Sequence, residues 1–368
     1  MNAVVVTGWS ALTSAGVGVD ALARQVAGAE LDVSPISRGV QVQHVYEEPL
    51  PEPTAHALAD FRASDHLGRK GTSSYDRATA LAVVCCQEAI REARIEVDDA
   101  SRTRVGVVLG TSLGSLRSTS DFTRETLVQD RPYLVNPILF PNTVMNRAAG
   151  QVAIRFGLRG VNVTIAGGTL AFLSAVRYAS KTIERGYADV MLTGAVEEFT
   201  PHRAWACRLT GAAESVSVGE AAGVFVLSRP QPPAWVGAPR SAEVLAVLTG
   251  YGPGGETSVE QALVDCVNAV LRRADVAPDE ISTVFTGETR PADRTEYGPV
   301  VRAIGREPRR VMPKRLLGEC DAAAGAVALA LLLAASTDGL SLLTARGSDG
   351  AVGAAIVRRY GDARADRG

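Results

Sequence analysis

Histidine is the scarce residue here: the chain has four in 368 positions, His44, His56, His66 and His202, and none beyond 202. No two stand at metal-ligand spacing, which argues against a histidine-based metal site, and all four are expected at the surface or in loops. Cysteine is nearly as sparse: Cys85, Cys86, Cys207, Cys266 and Cys320 match no zinc pattern, and an odd count predicts free thiols rather than a disulfide framework. The start, MNAVVVTGW, has no basic leader region and runs straight into a strand, so no secretory leader is expected. Charge imbalance is missing too. With 38 Lys and Arg against 40 Asp and Glu, the chain lacks the electrostatic footprint of a nucleic-acid binder. A local cluster such as Arg62, Arg69 and Lys70 still offers an acidic partner a place to dock. The longest uncharged apolar run, AAAGAVALALLLAAST at 322–337, has 16 residues and is bracketed by Asp321 and Asp338. A membrane span needs roughly 18 or more, so this run predicts a helix buried on all sides and no membrane association. No HExxH, GxSxG or kinase signature occurs, and GYGPGGE at 250–256 lacks phosphate-loop spacing and reads as a turn at a strand end.

What is present is a well-mixed α/β pattern. An apolar fraction of 46% with 21% charged residues suits a compact chain with a large core. Apolar β-rich runs fall at 4–8, 105–110, 161–167, 190–196, 223–228, 244–252, 282–287 and 354–360, with helical patterns at 76–93, 169–185, 259–274 and 320–337. Continuous apolar strands alternating with helices predict sheets covered on both faces. SRPQPPAWVGAPR at 228–240 reads as a crossover linker. Similar strands, AVVVTGWS and LAVLTGYG, open each side of it, and each side holds one small-residue apolar helix, at Thr169 and at Cys320. The symmetry predicts a duplicated α/β unit, 1–230 and 241–368, with the second half shortened and the two apolar helices packed between sheets.

One stretch poses a chemical question. NVTIAGGTLAFLSA at 162–175 reads as a strand, a glycine hinge and a buried helix. A helix N-terminus presents free N–H groups and partial positive charge, which is where many enzymes hold a nucleophile. The residue there is Thr169, a weakly acidic hydroxyl.

The motifs, taken in order, resemble the β-ketoacyl synthases. VVVTGWSALTSAGVGVDAL is similar to that family's opening strand and loop, and LGRKGTSSYDRATALAV at 67–83 to its next loop and helix. GQVAIRFGLRGVNVTIAGGT at 150–169, RGYADVMLTGAVEE at 185–198, GEAAGVFVL at 219–227 and MPKRLLGECDAAAGAVAL at 312–329 continue the resemblance over nearly the whole chain. It implies the thiolase fold: duplicated βαβαβαββ halves in a five-layer αβαβα sandwich. Active members use a cysteine thiolate at the buried helix start and two histidines that stabilise an enolate. By the same resemblance the nucleophile position falls on Thr169, the first histidine position on Gly287 or a neighbour, and the second on Glu319, five residues after Lys314. A phenylalanine-containing loop of the family is replaced by GSDG at 347–350.

With no histidine beyond His202, the second half supplies neither enolate-stabilising group, and Glu319 would repel the anion. Loss of all three groups resembles the chain length factors, the non-catalytic β subunits of type II polyketide ketosynthases. That branch typically has glutamine where this chain has Thr169, and together with NPILFPNTVMN at 136–146 this points toward a polyene or reduced-chain relative. The resemblance implies a cytoplasmic heterodimer with a catalytic ketosynthase α subunit, acting on chains carried by an acyl carrier protein, with no cofactor or metal. Tunnel-lining candidates are Leu113, Leu116, Phe140 and Met145, each of which would equally serve as interface or core packing. The rival reading is an acyltransferase or hydrolase using Thr169 with a base that no motif reveals. A scaffold that stabilises its partner without setting chain length is a third.

Overall fold

In the computed structural model, the described residues are 3–26, 39–211, 217–335 and 339–360. In the first half, strands β1 (Val4–Thr13), β2 (Val105–Thr111), β3 (Asn162–Ala166), β4 (Val190–Glu197) and β5 (Ala221–Ser228) lie in the order β3-β2-β4-β5-β1. In the second, β6 (Ala242–Tyr251), β7 (Ile281–Phe285), β8 (Arg309–Val311), β9 (Leu340–Arg346) and β10 (Ala351–Arg359) lie as β8-β7-β9-β10-β6. Numbered from the start of each half, the two orders are identical. The parallel and antiparallel neighbours also correspond pair for pair. The halves are not separate sheets: β1 pairs antiparallel with β6, Val4 opposite Val244 and Val6 opposite Ala242, and the ladder is continuous.

Among the described residues the helices of eight or more residues are α1 (Val19–Val26), α2 (Arg77–Glu92), α3 (Leu116–Val128), α4 (Arg147–Phe156), α5 (Ala171–Glu184), α6 (Pro201–Thr210), α7 (Gly255–Ala274), α8 (Tyr297–Ile304) and α9 (Ala324–Ala334). Strand alternation assigns their layers. Val107 and Leu109 face one apolar cluster with Leu81 and Val84 of α2 and Val152 of α4, while Val108 points the other way. On the far side, Val284, Leu342 and Ile356 pack on Leu263 and Val267 of α7 and Val300 of α8. Between the two sheet halves lies the largest cluster, where Phe172 and Val176 of α5 meet Ala326, Leu329 and Leu331 of α9. The succession is helix, sheet, helix, sheet, helix.

Helix α9 explains the uncharged run. Residues Gly325 through Leu333 are all buried, so a helix apolar on every side has no polar face to misplace. Each buried leucine contributes roughly 1.5–3 kcal/mol. Small residues set the layer spacing: a Cβ on Gly325 would lie 2.9 Å from Phe172 Cδ1, and one on Gly223 would lie 2.8 Å from Ala326 Cβ. Helix α2 starts at 77 because Asp76 caps it, accepting from Thr79 N–H at 2.8 Å.

Several expectations shift. The helices predicted from 169 and 320 begin as single 3-10 turns, Gly168–Leu170 and Asp321–Ala323, before α5 and α9. The end of the second, at Ser336 and Thr337, lies outside the described residues, as does the bracketing Asp338. β8 and β9 go beyond the predicted strands: β8 carries two arginines in three residues, and β9 is leucine-rich rather than β-branched. Parallel pairing with β7 rather than local preference makes both extended. His56 corrects the expectation of a surface or loop histidine. It is completely buried, bridged to Gly219 and packed against Gly318, where a Cβ would lie 2.7 Å from its own Cβ. All five cysteines are free.

Candidate functional site

The loops that follow β3, β4, β7 and β9 converge at the central layer. After β3, Gly167 and Gly168 turn the chain, Gly168 at φ +49°, and set half-buried Thr169 in the 3-10 turn ahead of α5. Leu170 beside it is buried. A Cβ on Gly347 would lie 3.5 Å from Leu170 Cδ2, so the turn at 347–350 covers the helix start. The turn at 168–170 packs against the one at 321–323, and Gly287 and Glu319, the other two positions singled out by the resemblance, each have a defined neighbour.

At Gly287, a Cβ would fall 2.7 Å from Glu296 Oε1. The space a side chain would take is filled by the Glu296 carboxylate, which accepts from Gly287 N–H at 3.0 Å and from Thr344 Oγ1–H at 2.7 Å. Burial raises the Glu296 carboxyl above its ordinary range, and nearby Glu288 adds to the rise. Glu288 in turn accepts from the N–H groups of Glu296 and Tyr297 and pairs with Arg310, fixing the loop.

At Glu319, Oε2 lies 2.6 Å from Lys314 Nζ, and Oε1 accepts from Asp321 N–H at 3.0 Å. Burial alone would lower the Lys314 ammonium, yet Glu319, with help from Glu296 and Asp321, holds it above its ordinary value. Lys314 therefore keeps its proton. Arg203, which no motif revealed, ties this loop to the first half. Its guanidinium donates to the carbonyls of Glu198, Gly219 and Glu319 and to Asp321 Oδ2 at 2.7 Å. Asp321 has φ +38°, an unfavourable conformation for a non-glycine residue that this ion pair helps to hold. Glu197 is fully buried nearby and its carboxyl is pushed up to about 7 by burial, against the pull of Arg203.

Chemically, these loops carry a hydroxyl, a Lys–Glu ion pair and the buried carboxyls of Glu197 and Glu296. A cleft of about 470 Å³ is lined by Gly287, Glu296, Lys314, Arg346, Gly347 and Asp349. His56 reaches the loop backbone at Gly318 from the first half, a proximity that sequence spacing could not show.

The tunnel candidates group on another face. Leu113 and Phe140 are exposed at 56% each, Met145 is exposed, and Leu116 is half-buried at the start of α3. Phe140 packs on Phe122 of α3 with ring centroids 5.8 Å apart. Met145 lies against Gly114 and, with Val144, Leu109 and Thr164, lines a chamber of only about 10 Å³. Leu127, Val128, Tyr133, Leu134 and Ile138 extend this exposed apolar face. β3 is the outermost strand beside it. Arg62, Arg69 and Lys70 are all exposed.

Sheet order, the two central helices and the glycine hinge at Thr169 together define a thiolase-fold chain of the ketosynthase class. Residues 1–231 match the β-ketoacyl synthase N-terminal domain, and the chain belongs to that family. It is similar to 3-oxoacyl-[acyl-carrier-protein] synthase 2 of Staphylococcus aureus (strain N315), at 27% identity over 271 residues, 69% of this chain and 63% of the relative. The chain thus spans less than two thirds of that relative's length. The enzyme of the same description from Vibrio harveyi is 25% identical over 88% of this chain and 83% of its own length. Among solved structures, the ishigamide ketosynthase/chain length factor superposes with a TM-score of 0.84 and 31% identity, over 98% of this chain and 100% of that one. A β-ketoacyl synthase from Burkholderia phymatum STM815 shares the fold with a TM-score of 0.82 at 19% identity, over 98% and 100% of the two chains. AntDE:AntF, described as a type II polyketide synthase acyl carrier protein in complex with its ketosynthase bound to the hexaketide, shares it at 0.79 and 17%, with the same coverage. Among the described residues, no helix is long and apolar enough to cross a membrane.

Proposed function

We propose that this chain is a non-catalytic chain length factor, the partner of a catalytic ketosynthase α subunit in type II polyketide biosynthesis in the cytoplasm. The carrying observation is the occupied condensation site: Glu296 fills the space beside Gly287, and Glu319 is locked to Lys314. Thr169 completes the set as a hydroxyl in place of a thiol. The likeness to the ishigamide ketosynthase/chain length factor supports the reading.

On this reading residues 1–230 and 241–368 are the duplicated halves, and the exposed apolar face around β3 meets the ketosynthase. The growing chain, delivered by an acyl carrier protein, enters a tunnel along that interface. Leu113, Leu116, Phe140 and Met145 close it, so that length is set by steric limit rather than by chemistry. The chamber beside Met145 already has room for no more than a single water.

The test is reconstitution with a ketosynthase. Thr169→Ala should leave condensation intact, while Met145→Ala and Phe140→Ala should shift product length. Loss of turnover in Thr169→Ala, with acyl label on Thr169 in the wild type, would favour the acyltransferase or hydrolase instead. Unchanged product length across the tunnel variants would reduce the role to scaffolding.

A further inference from the structure

Helix α3 carries Leu127 and Val128 of the exposed apolar face, yet not one of its residues is buried. Apart from the Phe122–Phe140 ring contact, its attachments are polar and titratable. Arg117 pairs with Glu48 at 2.8 Å and reaches Asp121 at 3.6 Å; Asp121 lies 3.9 Å from His202 Nε2 of α6; Glu125 accepts from Asn136 N–H. A helix with so little apolar burial belongs to the low-stability end of a fold.

Its N-terminus is held by Glu198, the residue after β4. Glu198 is 1% exposed, and its Oε1 lies 3.2 Å from Ser115 Oγ and accepts from Arg117 N–H at 3.4 Å. The other oxygen, Oε2, is buried with no hydrogen-bond partner. Charged and titratable groups surround it from every packed element. Asp76 and Arg77 stand at the start of α2, Glu220 before β5, Tyr46 and Glu48 in the 43–50 segment, Arg117 and Asp121 on α3, and His202 and Arg203 on α6. Three neighbouring arginines are engaged elsewhere: Arg77 is bidentate to Glu220, Arg203 turns to backbone carbonyls and Asp321, and the Arg117 guanidinium pairs with Glu48. The bare oxygen therefore has no cation of its own.

We propose that Glu198 is a proton-operated latch on α3. Neutral, it holds the helix start against the end of β4; ionised, it leaves the pocket for water and frees the helix. This inference stands independently of the pairing with a ketosynthase, though it would tune the same face. Burial, then Asp76, push the Glu198 carboxyl up to about 8 despite the cap contacts. The closed state therefore keeps a proton that the open state, near 4.5, gives up. Closure is strongest at low pH, and its advantage is lost as pH rises toward the closed-state value.

Hydrogen exchange on the full-length chain reads this directly, with protection factors of α3 referred to those of α2. The α3 protection should fall about tenfold per pH unit between roughly pH 5.5 and 7.5 and level off above about 8. Glu198→Gln, which mimics the neutral acid, should hold α3 protected with no such slope. A Glu198→Gln profile that tracks the wild type would overturn the latch. If that variant does not fold, a wild-type α3 profile that stays flat relative to α2 overturns it equally.

Discussion

Glu296 stands where a side chain at Gly287 would have to grow: its Oε1 is 2.7 Å from the Cβ position. The carboxylate is held there by Gly287 N–H and Thr344 Oγ1–H, so it does not yield cheaply. Gly287→His should therefore destabilise the fold by about 2 kcal/mol through overpacking and displaced hydrogen bonds. Thermal unfolding of Gly287→His and of Gly287→His/Glu296→Ala gives the check. The double variant should recover part of the loss, because the two sites are in contact and their effects do not add. A single variant as stable as the wild type would show that Glu296 is free to move.

The Lys314–Glu319 pair is largely shielded, with side chains 13% and 16% exposed. Glu319→Ala strands a buried ammonium and should cost about 3 kcal/mol in denaturant unfolding. Replacing both partners, Lys314→Met with Glu319→Leu, should cost much less. Equal losses in the two variants would mean that the pair contributes packing rather than charge compensation.

Glu197 adds a contribution of defined sign to the pH dependence of stability. Its carboxyl rises from 4.5 to about 7 on folding, so the native state holds a proton that the unfolded chain releases. The associated stability is full below about 4.5 and lost as pH rises toward 7, an effect on the order of 3 kcal/mol. Glu197→Gln should reduce the slope of the stability profile across that window, leaving the part due to Glu198. A profile of unchanged slope in the variant would move the titration to another group.

Gly223 of β5 sits under α9, 2.8 Å by its Cβ position from Ala326 Cβ. Gly223→Ala should lower stability by about 2 kcal/mol, and Gly223→Val by more, because sheet and helix must separate. Ala326→Gly in the Gly223→Ala background should restore most of it. Failure of that rescue would place the strain on the helix backbone, whose Ala326 C and O lie 3.4 Å from the same position.

Legibility differed by level. Val105–Thr111 and Val190–Glu197 were readable as strands because continuous apolar runs leave few alternatives, and 322–334 was readable as an all-round buried helix for the same reason. Leu340–Arg346 was not, since leucine alternating with serine and threonine carries little β preference until β7 pairs with it. At the proposed site, the absence of histidine beyond 202 could be counted without any coordinates. The carboxylate beside Gly287 could not be foreseen: Glu296 reaches it only because Glu288 and Arg310 bend the loop between them. Arg203 and His56 come from the other half of the chain, 116 and more residues away from Glu319, beyond any local pattern.

The antiparallel pairing of Val4–Val6 with Ala242–Val244 has a mechanical meaning. Two lobes joined by a flexible connection can open and shut around a guest, but lobes sharing backbone hydrogen bonds across a ladder cannot swing apart without breaking it. Whatever this molecule bounds, it bounds as a mould of fixed shape. Adjustment is left to side chains and to the loosely seated α3 at its rim.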